Sequence, residues 1–316
     1  MESSKKVLIR DLVNFFQLEQ LTGDEEALNR WVVVPDINRP GLELSGYEKM
    51  TEPRRIVIIG DREREYLASL SEEVQRERLM KITDALTPCI ILTHYRDCPK
   101  VLEEIARGQN FPVLRCHANT SRAMVEIISY LDEKLAESST VHGVLINVAG
   151  LGVLILGESG MGKSEIALEL IHKGHSLVAD DRVDVSKIHN EIIGTSSDLL
   201  EGFLEIRGVG IIDVIKMFGA SALLPKSRID MVIRLEAYNP NRDYSRVGNE
   251  ENITTDIMGV QIPTMVIPVK EGRLMSVIVE SAVTNFRLKE RGYNSMEEFE
   301  QRVYNFIEKE NKERNL

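Results

Sequence analysis

Val153-Leu154-Ile155-Leu156 runs straight into Gly157-Glu158-Ser159-Gly160-Met161-Gly162-Lys163-Ser164, and the residues behind it, 165–173, have helical character and stop at Gly174. The octapeptide fits the pattern G-x-x-x-x-G-K-[ST], and each part of it has a physical task. The glycines let the backbone turn so that successive N–H groups point inward at phosphate oxygens. Lys163 adds a point charge near the β- and γ-phosphates, and the Ser164 hydroxyl is placed to ligate Mg2+. The helix that follows turns its positive end toward the anion. The competing reading is a glycine-rich strand-to-helix turn without a ligand. An apolar strand before the loop and a helix after it form the setting that a phosphate-binding loop requires. The segment therefore predicts an α/β fold and a site for a nucleoside triphosphate.

Other polar groups fall close to this loop in sequence. The apolar run Leu177-Val178-Ala179 ends in Asp180 and Asp181. Phosphoryl transfer needs an acidic group to hold Mg2+ or to accept a proton from the attacking hydroxyl. Adjacent strand residues point to opposite faces, so one carboxylate is expected to face the phosphates while the other orients or ligates. A solvated turn at a strand end is the plainer alternative. His142 lies just before the apolar run 144–148. That run and 153–156, separated by Ala149-Gly150-Leu151-Gly152, suggest a hairpin. A lone histidine is more often structural, so His142 enters as a candidate only. In LEIRGVGIID, at 204–213, Glu205 and Arg207 alternate with apolar residues. Alternation puts both on one face of an extended segment, where the simplest reading is a surface ion pair.

Upstream, 31–34, 55–59, 90–93 and 112–115 read as strands. The stretches 62–78, 100–107 and 120–135 read as helices. This predicts an N-terminal α/β domain over 1–132, in which no catalytic motif stands out. The polar stretch 133–140 is the expected linker. The predicted P-loop domain over 141–316 has a mixed sheet and C-terminal helices. The last helix starts near Ser295, with Glu298 at capping-box spacing. Phe299, Val303, Phe306 and Ile307 share one face. That face either docks on the chain's own core or forms an interface.

A chain of 316 residues with 43% hydrophobic content has room for two packed domains. Its formal net charge of −11 argues against a nucleic-acid binder, which usually carries a basic patch. Cys89, Cys98 and Cys116 are an odd set without a C-x-x-C pair, as in a reduced cytosolic protein rather than a disulfide framework. No apolar run reaches the roughly 18 residues that span a bilayer, and the polar N-terminus lacks a signal-peptide core. The expectation is a soluble cytoplasmic protein without a membrane or nucleic-acid partner.

Taken together, these motifs resemble the HPr kinase/phosphorylase family. GESGMGKS at 157–164, ADDRVD at 179–184 and LEIRGVGIID at 204–213 stand in family order. DINRPGLELSGY at 36–47, TPCII at 87–91, NFRLK at 285–289 and GYN at 292–294 extend the resemblance over nearly the whole chain. The resemblance implies an enzyme that phosphorylates a serine of HPr, a small phosphocarrier protein of bacterial sugar uptake, using ATP. It also implies the reverse reaction, in which inorganic phosphate attacks the phosphoserine and pyrophosphate leaves. It further implies a homohexamer that requires a divalent metal, taken as Mg2+, and responds to sugar metabolites. Residue by residue, Lys163 would bind phosphates, and Ser164 and Glu205 would hold Mg2+. Asp181 would exchange the proton with the serine, assisted by His142, with Asp180 as a secondary candidate. Arg246 sits where the family has a catalytic arginine.

Two departures stand out. The segment Pro268-Val269-Lys270-Glu271-Gly272-Arg273-Leu274 has Glu271 and Leu274 where the family commonly has proline and asparagine. An acid in that loop would repel incoming phosphate, which bears on the reverse reaction. Ser245 replaces the aspartate that usually precedes the arginine at Arg246. Two other classes stay open on sequence: a P-loop phosphotransferase acting on a small metabolite, and a nucleotide-binding regulator without catalysis.

Overall fold

A computed structural model describes residues 5–47, 54–239, 253–270 and 272–314. The chain divides into two compact units, Met1–Ala136 and Glu137–Leu316. The first contains, in order, β1 (Val7–Leu8), α1 (Ile9–Phe16), β2 (Glu19–Gln20), β3 (Trp31–Val32), β4 (Ile37–Asn38), α2 (Gly41–Ser45) and β5 (Ile56–Ile59). It continues with α3 (Asp61–Ala68), α4 (Glu72–Ile82), β6 (Ile90–Leu92), α5 (Lys100–Gly108), β7 (Val113–Arg115) and α6 (Thr120–Leu135). Its main sheet has the order β2-β7-β6-β5-β4, with β4 to β7 parallel. The continuous apolar runs of β5 and β6 are buried on both faces, as parallel strands covered by helices must be. Ile56, Ile58 and Ile91 pack toward α1 and α6, and Val57, Ile59 and Ile90 toward α3, α4 and α5.

The continuous helix expected over 62–78 is broken. Ser69, Leu70 and Ser71 separate α3 from α4, and the Ser71 hydroxyl accepts from the Val74 N–H. Serine competes for backbone donors and so favours a helix start over a helix interior. The strand expected over 31–34 is shorter, at Trp31–Val32. The polar stretch 133–140 contains no linker loop. Its first residues end α6, and from Glu137 the chain enters a strand whose Ser138, Ser139 and Thr140 pair with Ser186, Val185 and Asp184. Polarity there reflects an exposed strand face rather than an absence of structure.

The second unit contains β8 (Glu137–His142), β9 (Val144–Val148), β10 (Leu151–Leu156), α7 (Lys163–His172), β11 (Ser176–Ala179), β12 (Arg182–Ile188), β13 (Glu191–Thr195), β14 (Phe203–Ile206) and β15 (Gly210–Asp213). It ends with α8 (Val214–Phe218), β16 (Lys226–Arg228), β17 (Met231–Ala237), β18 (Thr254–Ile257), β19 (Val260–Val269), α9 (Met275–Glu290) and α10 (Ser295–Arg314). A mixed six-stranded sheet has the order β11-β9-β10-β17-β19-β18, and a four-stranded antiparallel sheet the order β16-β13-β12-β8. The expected hairpin is the β9–β10 pair. One face of the large sheet packs on α7 and α9 through Ile146, Ile155, Leu170 and Val279. The other packs on the four-stranded sheet through Leu145, Leu154, Val183 and Val185.

Gly152 sits where β10 crosses the end of β16. A Cβ there would lie 1.7 Å from the Arg228 carbonyl oxygen. Backbone cannot retreat as a flexible side-chain tip can, so Gly152→Ala should cost on the order of 3 kcal/mol or more. A urea midpoint matching wild type would contradict this close approach.

The C-terminal helix departs from the simpler expectation. Phe299, Val303, Phe306 and Ile307 are exposed in α10 and do not dock on the chain's own core. Its start is capped by Asn294, whose side-chain oxygen accepts from the Met296 N–H, and Ser295 is the first helical residue rather than the cap.

Candidate active site

Strand β10 is central in the large sheet, antiparallel to β9 and parallel to β17, and its end delivers the chain to Gly157. Gly160 and Gly162 adopt φ of 86° and 82°, a region open to glycine at little cost. These turns wrap the loop around its own lysine. Lys163 is 8% exposed, and its Nζ donates to the carbonyls of Gly157 at 2.9 Å and Glu158 at 3.1 Å. Helix α7 begins at Lys163, so its first N–H groups face the loop interior. The expected helix is thus present, bounded by Gly162 and, at φ 93°, Gly174.

Asp180, just beyond β11, is buried and joins two distant segments. Its Oδ1 accepts from the Ser164 hydroxyl at 2.9 Å, and its Oδ2 accepts from the Glu205 N–H at 3.2 Å. Burial pushes its pKa above the ordinary 3.8. The Ser164 and Glu205 hydrogen bonds oppose the rise, and the neighbouring Asp181 charge adds to it. Folding therefore favours the protonated form. The stability Asp180 contributes is full below the unfolded-state value and is lost as pH rises through the higher folded-state value. Asparagine can keep both contacts, because the serine hydroxyl can accept as well as donate. In nucleotide-free protein, Asp180→Asn should therefore gain stability relative to wild type as pH is raised from 4 to 7. Parallel thermal melts with a pH-independent difference would refute it.

Asp181 turns the other way. Its φ is 65°, its side chain is 73% exposed, and its Oδ1 lies 3.2 Å from His142 Nδ1. His142, itself 59% exposed, is the last residue of β8 and pairs with Arg182, the residue after Asp181. The Gly143 N–H donates to the Asp181 carbonyl at 3.1 Å, which fixes the two segments side by side. The two aspartates thus occupy different environments: Asp180 is buried against the P-loop serine, and Asp181 is exposed beside the histidine.

Glu205 is on the exposed face of β14, with Leu204 and Ile206 buried beneath it. Ser164, Asp180 and Glu205 offer oxygen donors only, which suits a hard divalent cation. Among the described residues no three His, Cys, Asp or Glu side chains converge as a ready metal cage. The expected surface pair of Glu205 and Arg207 does not form. Arg207 instead reaches the phosphate loop, with Nη2 3.3 Å from Ser159 Oγ. Arg246 and Glu271 lie outside the described residues.

The chain matches the family models described as HPr Serine kinase N terminus, over residues 7–131, and HPr Serine kinase C-terminal domain, over residues 133–303. It belongs to the HPr kinase/phosphorylase family. An HPr kinase/phosphorylase of Streptococcus gordonii is 42% identical over 302 residues, covering 95% of this chain and 97% of the relative. One from Geobacillus thermodenitrificans is 42% identical, covering 96% and 98%. A solved structure titled as the Hpr(Ser) kinase/phosphatase from Coxiella burnetii aligns with a TM-score of 0.45 and 35% identity, over 51% of this chain and 98% of that one.

Of the expected site residues, the structure links Ser164, the residue after Lys163, to the backbone of Glu205 through Asp180, and pairs His142 with Asp181. The direct contact of Asp180 with Ser164 and the reach of Arg207 do not follow from the sequence pattern. The available signal for Arg207 is the Gly208-Val209-Gly210 turn behind it, which folds the hairpin back.

Proposed function

We propose that this enzyme transfers the γ-phosphoryl group of ATP to a serine of HPr, and that it also cleaves the phosphoserine with inorganic phosphate to give pyrophosphate. Through HPr it would regulate bacterial carbon metabolism. The observation that carries the reading is the exposed His142–Asp181 pair, next in the chain to the Asp180 carboxylate that accepts from the phosphate-loop Ser164 hydroxyl. A serine hydroxyl is a weak nucleophile, and a carboxylate within hydrogen-bond reach accepts its proton as the O–P bond forms. Asp181 takes that role in the forward direction and returns the proton in reverse, with the His142 ring holding the carboxylate in place. Lys163 leaves the carbonyls of Gly157 and Glu158 for phosphate oxygens. The loop residues Gly157, Glu158, Ser159, Gly160, Met161 and Gly162 supply backbone N–H groups and the turns that aim them. Ser164 and Glu205 would hold Mg2+, which neutralises phosphate charge when bound, and Asp180 orients the Ser164 hydroxyl. We retain Arg246 as a catalytic arginine on the family resemblance.

Because the base is exposed rather than enclosed, a macromolecular acceptor fits better than a small metabolite. The exposed apolar face of α10 supports assembly into the hexamer that the resemblance implies. No helix among the described residues is long and apolar enough to cross a membrane, and all three cysteines are free. Both features accord with a cytoplasmic enzyme. The decisive experiment incubates the protein with γ-labelled ATP, Mg2+ and HPr, then adds inorganic phosphate to the phosphorylated product. Label on an HPr serine, followed by labelled pyrophosphate, is expected. Nucleotide binding without label on HPr would overturn the reading, and light scattering on the same sample tests the hexamer.

A further inference from the structure

The hairpin β14–β15 is tied to the phosphate loop at two points, once through Asp180 and once directly. At one, the Glu205 N–H is tied to Asp180, which also holds Ser164. At the other, Arg207 leaves the end of β14 and brings Nη2 to 3.3 Å from Ser159 Oγ. Its Nη1 is so close to the loop backbone that a Cβ on Gly160 would lie 3.1 Å from it. The turn that allows this uses Gly208 and Gly210, at φ 83° and 103°, which reverse the chain immediately behind the arginine.

Arg207 is poorly satisfied where it stands. A guanidinium carries five N–H donors in a fixed fork. The side-chain bond it makes is a long one to a neutral hydroxyl, and among the described residues no carboxylate pairs with it. The surrounding charges make this position informative. Glu158, Asp180, Asp181 and Glu205 are acidic groups in or beside the loop, against Lys163. A loop that receives a polyanion in such surroundings gains from a further cation beside Lys163. Arg207 is held over the Ser159–Gly160 part of the loop, with donors to spare.

Resting on the phosphotransfer reading above, we propose that Arg207 is a catalytic residue that grips the terminal phosphate. In the forward direction its fork binds oxygens of the γ-phosphoryl group. The bond from the γ-phosphorus to the β–γ bridging oxygen breaks, the serine oxygen bonds to that phosphorus, and Asp181 takes the serine proton. In reverse the same fork binds inorganic phosphate. A phosphate oxygen bonds to the phosphoserine phosphorus, the bond to the serine oxygen breaks, pyrophosphate forms, and the serine oxygen regains a proton from Asp181. Arg207 contributes charge and hydrogen bonds and transfers no proton.

Calorimetry with Mg2+ on wild type, Arg207→Gln and Arg207→Lys tests this, comparing ADP with a non-hydrolysable ATP analogue. Arg207→Gln should weaken the analogue about tenfold or more while ADP stays within about twofold, because only the analogue carries the terminal phosphate. Arg207→Lys keeps the charge without the fork and should fall between. In transfer assays Arg207→Gln should lose about 100-fold in kcat, and the KM for inorganic phosphate in reverse should rise. Equal weakening of both nucleotides, or of neither, would overturn the proposal. If Arg207→Gln is unstable, the same comparison on Arg207→Lys alone decides the matter. The calorimetry does not involve HPr. Wild-type enzyme that fails to label HPr therefore defeats the function reading without deciding the role of Arg207.

Discussion

Lys163→Met is expected to abolish phosphoryl transfer in both directions, with a loss of at least about 1000-fold in kcat/KM. The size follows from where the charge sits. Lys163 is buried inside the loop, and its ammonium is already committed to two carbonyls of that loop, Gly157 and Glu158. Methionine has a similar length and shape, so the loss is chiefly of charge and of three donors. It removes the cation nearest the phosphates and leaves both carbonyls without that partner, so the loop should also lose nucleotide affinity. Steady-state labelling of HPr and calorimetric ATP binding check the two halves of this prediction. Residual transfer above about a tenth of wild type would mean that phosphate charge is met elsewhere.

The second large effect is expected at Asp181. Asp181→Asn should lower kcat in both directions by about 100- to 10,000-fold, the range for loss of a positioned general base, with ATP affinity within about twofold of wild type. Asparagine is the right replacement because Asp181 has φ 65°, which asparagine tolerates and alanine does not. The side chain is exposed and bonds to His142 rather than to the phosphate loop, so the fold and the nucleotide site should survive. A kcat loss without a binding loss is the signature of a group needed for the chemical step. If Asp181→Asn stays active while Asp180→Asn does not, the proton goes to the buried aspartate and the assignment reverses.

How much of the molecule is legible in its sequence depends on sequence distance. The P-loop, its strand and its helix are contiguous, and local rules for glycine, apolar runs and helix starts suffice to place them. The same is true of the β9–β10 hairpin and of the buried parallel strands β5 and β6. Contacts across long separations are not legible. Nothing in the local pattern says that Asp180 faces Ser164 rather than solvent, or that its other oxygen takes the N–H of Glu205. Arg207 reads as the partner of Glu205 because alternation reports which face a side chain is on, not what that face meets. The reading of 133–140 as a linker fails for a related reason: exposed strands are as polar as loops. For α10, spacing identifies an apolar stripe correctly but carries no information about what covers it.

The β9–β10 hairpin also has a practical side. Its turn, with Ala149 at φ 51° and Gly150 at φ 91°, lies at the opposite end of β10 from Gly157. At about 3.4 Å per residue, the six residues of β10 put roughly 20 Å between them. Both turn residues are exposed, and the Ala149 carbonyl accepts one bond, from Arg287 at 3.0 Å. A fluorophore on a cysteine replacing Ala149, which already carries a side chain in this turn, would be joined by a rigid central strand to the catalytic loop while standing clear of it. The molecule thereby offers an attachment point for following the enzyme in mixtures without occupying the face it uses for chemistry.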